Sequence, residues 1–153
     1  MLLVWLGLRK EELRRLRLRD VNLDERTLLV HGKGGHVDKL PLAFEHVYNA
    51  LALYLRDRDP AEQLLYSQRR PYDRMDAATI HRWFKKALER AGLSSEWALH
   101  DLRRAAADAL HDVTGDIVLA QQLLRHSDIR TTRGYLSPSM ERLAQGMRQV
   151  EEA

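Results

Sequence analysis

Apolar residues recur along this chain with a helical period over most of its length and with a period of two over one short stretch. After an abruptly apolar opening, Met1-Leu-Leu-Val-Trp-Leu6, and a break at Gly7, Arg9 to Leu18 reads as a helix that turns Leu13 and Leu16 inward behind a Glu/Arg surface. Val21 and Leu23 then alternate with polar neighbours, Asp24-Glu25-Arg26 turns, and Thr27 to His31 is β-prone. Gly32-Lys33-Gly34-Gly35 turns again, and Val37, Leu40 and Leu42 lead out through Pro41. A small antiparallel meander is predicted. Phe44, Val47, Tyr48, Leu51 and Leu55 resume one buried helical face. Asp76 is placed to cap a second helix, whose stripe is Ile80, Trp83, Phe84, Ala87, Leu88 and Ala91, ended by Gly92. A third starts near His100 and turns Leu102, Ala105, Ala106, Ala109, Leu110 and Val113 inward. Shorter helical segments follow at Asp116 to Leu124 and about Asp128 to Tyr135. Ser137-Pro138 reads as N-cap and first helical residue of a last helix, over 137–150, with Met140, Leu143, Ala144, Met147 and Val150 on one side. The fold class is mostly α with a small antiparallel β meander, in a single domain.

Length changes this picture little: 153 residues suit one domain, and no repeat, low-complexity stretch or linker divides them. The zero cysteines exclude disulfide frameworks, zinc ribbons and thiol catalysis. Met1 to Leu6 is the longest apolar run, far short of the roughly 20 residues of a membrane span, and it lacks the marks of a signal peptide, so a cytoplasmic protein is expected. With no polar lead-in and no N-cap, the start reads as a chain cut inside an element. The net charge is only +3, but the basic residues divide into 20 Arg and 5 Lys. Arg matches phosphate oxygens two at a time, which favours phosphate or nucleic-acid contact.

Four short segments carry candidate chemistry. They are Gly7-Leu-Arg-Lys-Glu-Glu-Leu13, the turn Gly32-Lys33-Gly34-Gly35, His100-Asp-Leu-Arg103, and Leu124-Arg-His126-Ser followed by Thr131-Thr-Arg-Gly-Tyr135. In order and spacing they resemble the tyrosine recombinase, or phage-integrase, catalytic domain over nearly the whole chain. The resemblance implies six catalytic residues: Arg9, Lys33, His100, Arg103, His126 and the nucleophile Tyr135. It also implies site-specific cleavage and rejoining of double-stranded DNA, and assembly with further protomers through the helix at 137–150, which docks either on its own chain or on a neighbour. Self-docking is favoured for the isolated domain. A type IB topoisomerase-like relaxation of DNA, or a catalytically silent DNA-binding domain of the same fold, are the alternative readings.

The chemistry suits the residue types. Attack on a phosphodiester builds charge on two non-bridging oxygens, and fixed guanidinium forks at the starts of helices stabilise it, as expected for Arg9 and Arg103. His100 and Arg103, at i and i+3, share a helix side and can meet one phosphate. By resemblance His100 assists proton transfer at the tyrosine, His126 donates to a non-bridging oxygen, and Lys33 protonates the leaving 5′ hydroxyl. Tyr135, a phenol with an ordinary pKa of about 10, needs a base or a strongly cationic pocket. The product is a 3′-phosphotyrosyl enzyme, and the retained bond energy makes ATP unnecessary. No metal-ligand spacing such as His-Glu-x-x-His occurs, and no cofactor is implied. Glu12 is expected to hold the Arg9 guanidinium, while His31, His36, His46, His81 and His111 are read as surface or structural. Further phosphate contacts are assigned to Arg69, Arg70, Lys85 and Lys86, with Arg74 and Arg90 nearby.

This sequence departs from the family in three ways. The helical core-binding domain that usually precedes the catalytic domain is absent, so the chain reads as an N-terminally truncated fragment or a minimal variant. Arg125 stands where the family commonly has Gly before the histidine, at a cost of about 1 kcal/mol if that position needs a positive φ. Ala105 stands where a Thr is common.

Overall fold

The computed structural model describes residues 1–59, 62–66, 75–125 and 140–153, with Lys33 described in its backbone only. In chain order the elements are α1 (Leu2–Trp5), α2 (Lys10–Arg15), β1 (Val21–Asn22), β2 (Thr27–His31), β3 (Val37–Pro41), α3 (Glu45–Leu55), α4 (Ala77–Arg90), α5 (Leu99–Thr114), α6 (Ile117–Leu124) and α7 (Met140–Glu152). The strands form an antiparallel sheet in the order β1-β2-β3, with Leu28 opposite both Val21 and Leu40. Leu28, Val30 and Leu40 enter the core while Leu29 and Val37 stay exposed. That is the two-residue alternation of a sheet with one buried face. Asp76 caps α4 by accepting the Thr79 N–H at 2.7 Å, and Phe44, Val47 and Leu51 bury the expected face of α3.

Three elements differ from their periodicity. Helix α2, expected to run to Leu18, stops at Arg15 because Leu16 is already extended: its carbonyl accepts the Leu64 N–H at 2.8 Å, and Leu18 N–H donates to Glu62 at 3.0 Å. Pairing with a distant segment replaces the end of the helix. On α4 only Ile80, Phe84 and Leu88, at i, i+4 and i+8, are buried, and Trp83 is 53% exposed. On α5 the buried face is Arg103, Ala106, Ala107 and Leu110; it keeps Ala106 and Leu110 of the expected stripe but is rotated from it, so that Ala105 and Val113 face solvent. A satisfied arginine occupies the inward position that an apolar stripe would have given to Leu102.

Helix α7 packs on its own chain, the arrangement favoured for the isolated domain. Leu143 and Met147 are fully buried, Arg142 pairs with Asp116 at 2.6 Å, and the Glu151 carboxylate accepts the N–H groups of Glu45 and His46 at 2.8 and 3.1 Å, capping α3. The expected start of that helix at Ser137 and the helix over 128–135 lie outside the described residues. Gly146 sets the depth of docking, because a Cβ there would sit 3.1 Å from both Leu110 Cδ1 and Thr114 Cγ2. Gly146→Val should therefore destabilise the chain by about 1–3 kcal/mol through overpacking, and proteolysis should attack α7 sooner. A variant with unchanged melting and cleavage would show that this contact yields freely. Among the described residues no helix is long and apolar enough to cross a membrane.

Candidate active site

The site is organised by one carboxylate. Arg9 is the N-cap of α2, with extended backbone, and Glu12 three residues on is buried at 4% exposure. Glu12 Oε2 accepts the Arg9 backbone N–H at 2.7 Å, and Oε1 accepts Arg9 Nη1 at 2.6 Å. Both the turn that begins the helix and the guanidinium that projects from it are thus fixed by the same side chain. The Arg9 side chain stays 49% exposed, so its fork remains open to an incoming anion. Glu12 makes the expected contact to the Arg9 guanidinium.

Arg103 comes from the other side. It is the fifth residue of α5, beyond the first turn where the sequence placed it, and only 2% of it is exposed. Its Nη1 donates to the Gly7 carbonyl and its Nη2 to the Leu124 carbonyl, while Nη1 lies 3.9 Å from Glu12 Oε2. Gly7 can present that carbonyl because its φ is +54°, and an added Cβ would crowd Leu124 Cδ2 at 3.3 Å. Burial pulls the Arg103 pKa down to about 10, helped by the neighbouring charges of Arg125 and Arg9 and opposed by Glu12. The group is still a cation at neutral pH. For Glu12, burial pushes the pKa up but is outweighed by the charge of Arg125 and by hydrogen bonds from Arg9 and Arg125, so it lies below the usual carboxylate value.

His100 is exposed on the second residue of α5 and lines, with Arg103 and Leu124, a cavity of about 340 Å³ between α5 and α6. The i, i+3 pair of the sequence does share one opening. Lys33 lies in the turn between β2 and β3, where Gly34 and Gly35 have φ of +75° and +79°, and Arg15 Nη1 ties the turn to α2 by donating to the Gly32 carbonyl at 3.2 Å. His126, Tyr135, Arg69 and Arg70 lie outside the described residues. Lys85 is engaged with protein: its Nζ donates to the carbonyls of Ser95 and Trp97 at 2.6 and 2.8 Å. Lys86 flanks an open hollow beside Trp83 and Arg90.

Sequence reasoning missed the part played by Arg125. Its φ is +51°, the left-handed backbone that the family's glycine implied, yet its side chain is 3% exposed and Nη2 meets Glu12 Oε2 at 2.7 Å. The available signal was a charged residue at a position that disfavours any side chain.

The sequence model described as Phage integrase family matches residues 1–142. The tyrosine recombinase XerC of Proteus mirabilis is 29% identical over 144 residues, covering 90% of this chain and 46% of that relative. The structure of the integrase from mycobacterium phage Brujita is similar with a TM-score of 0.78 at 25% identity, over 97% of this chain and 49% of that one. The XerH site-specific recombinase bound to difH substrate, in a pre-cleavage complex, gives 0.68 at 26% identity, over 86% and 39%. The chain spans about half the length of the curated relatives it matches.

Proposed function

Because the chain belongs to the phage integrase family, we propose that it supplies the catalytic half of a site-specific DNA recombinase, cleaving and rejoining duplex DNA through a tyrosyl ester. The observation that carries this reading is the meeting of Arg9 and Arg103, 94 residues apart in sequence, at the single carboxylate of Glu12, beside a cavity that His100 also lines. A phosphate entering there meets an exposed fork already oriented by its own helix turn, which is the preorganised positive charge that a pentavalent phosphorane-like transition state requires.

In the proposed reaction the Tyr135 oxygen attacks the scissile phosphorus and the bond from phosphorus to the 5′ oxygen breaks. The phenolic proton passes to a base, for which His100 is the candidate, and Lys33 donates a proton to the leaving 5′ oxygen. His126 donates to a non-bridging oxygen. Religation is the same sequence reversed, with the 5′ hydroxyl as nucleophile and Tyr135 as leaving group. The XerH relative is a site-specific recombinase bound to its difH substrate, which supports duplex DNA as the proposed partner here. Further protomers are proposed to join on DNA, with α7 released from its own chain as the contact.

The test is a nicked suicide duplex incubated with the chain without metal or ATP. A covalent adduct is expected, with peptide mass spectrometry locating a 3′-phosphonucleotide on Tyr135. Absence of an adduct, or attachment at another residue, would overturn the assignment.

A further inference from the structure

Arg125 ends α6 with φ 51° and ψ 48°, a backbone conformation in which a Cβ is unwelcome. What holds it there is its side chain. Nη2 donates to Glu12 Oε2 at 2.7 Å and to the Gly7 carbonyl at 3.2 Å, and Nη1 donates to the Leu123 carbonyl at 2.7 Å and reaches the Leu6 carbonyl at 3.4 Å. The fork therefore spans three pieces of chain: the end of α6, the Leu6–Gly7 bend, and α2. Its Nε is enclosed and has no hydrogen-bond partner among the described residues. A buried guanidinium on a strained backbone is a poor way to fill space. It is an effective way to fix a carboxylate, since a fork sets direction as well as distance.

The carboxylate it fixes is the one that orients Arg9. Oε2 of Glu12 is common to Arg125 and to the Arg9 backbone N–H, while Oε1 is left for the Arg9 guanidinium. Arg125 is also the last residue before His126, so the same side chain anchors the point at which the chain leaves α6 toward the proposed histidine and tyrosine.

We propose that Arg125 is a positioning residue for DNA cleavage: its buried fork locks Glu12, and through it the Arg9 guanidinium, while pinning the end of α6 from which the segment carrying His126 and Tyr135 departs. The inference rests on the reaction proposed above. It predicts that Arg125 acts on the chemical step and hardly on DNA affinity, because its guanidinium is turned to Glu12 and to the carbonyls of Gly7 and Leu123 and is not among the groups that line the cavity shared by His100 and Arg103.

The test replaces Arg125 by Gly, which accepts the left-handed backbone and removes the fork, with Arg125→Asn as a second variant that also tolerates this conformation. Two measurements are made on the whole chain. The Glu12 side-chain carboxyl is titrated by carbon NMR, where loss of Arg125 should move its midpoint upward toward the ordinary carboxylate value. Single-turnover adduct formation on the suicide duplex should fall about a hundredfold, the scale of a misplaced catalytic group, with the dissociation constant for that duplex changed less than about threefold. An unmoved Glu12 titration overturns the inference, and so does a wild-type cleavage rate in either variant. If the wild-type chain itself forms no adduct, the proposed reaction fails, and the Glu12 titration separately decides whether Arg125 locks the carboxylate.

Discussion

Glu12→Gln, an exchange of one oxygen for an NH2 group, should lower the stability of the folded chain by about 3–5 kcal/mol. Glu12 is buried and is the carboxylate partner of both Arg9 and Arg125, with Arg103 at 3.9 Å. The side chains of Arg103 and Arg125 are each 3% exposed, so neither can recover hydration when that partner is neutralised. The amide would also turn donors toward donors. Urea unfolding checks this, and a loss below about 1 kcal/mol would show that the carbonyls of Gly7, Leu123 and Leu124 suffice to hold both cations. The same carboxylate gives a pH signature. Its pKa in the folded chain is lowered, so the stability it contributes is fully present above the ordinary carboxylate pKa of about 4.3 and is lost as pH falls through the folded value. Wild type should lose stability on acidification through that range, and Glu12→Gln should lack this component.

Arg103→Lys should slow adduct formation by about 10²–10³-fold while keeping the charge at the site. Arg103 spans two carbonyls, those of Gly7 and Leu124, with the two ends of a planar group, and so bridges the bend before α2 to the end of α6. An ammonium is a point donor on a flexible stem. It can hold one carbonyl or the other, and it cannot present a fixed face toward the opening that His100 lines. Single-turnover cleavage of the suicide duplex measures the effect, with Arg56→Lys, exposed just after α3, as the comparison expected to cleave within about twofold of wild type. An Arg103→Lys enzyme as fast as wild type would reduce the role of Arg103 to its charge.

Much of this is readable in the residue pattern. The meander follows from alternation and from turn residues at 24–26 and 32–35, and its strands pair in the order that this pattern implies. Local signals do not record what pairs at a distance. Nothing within residues 9–18 announces that Leu16 will bond to Leu64, so periodicity alone carries that helix too far. Periodicity also ranks Arg as outward and Trp as inward, and two helices reverse this, α5 at Arg103 and α4 at Trp83. At the site, the arginine and histidine motifs are legible because their spacing is itself the signal. The role of Arg125 is not, because its partner is 113 residues away in a different motif.

The imbalance of charge around Glu12 has a thermodynamic consequence for the whole fold. Among the described residues three guanidiniums converge on the Glu12 carboxylate, with Asp38 a further acid whose charge reaches Arg125, so positive charge is in excess there. Any anion that enters supplies the missing counter-ion, and binding energy gained only by the folded state is added to its stability by mass action, about 2.7 kcal/mol at a hundred times the dissociation constant. Under the proposed function, inorganic phosphate in a buffer and a phosphodiester in DNA then act on one equilibrium, each supplying negative charge that the described residues around Glu12 leave unmatched.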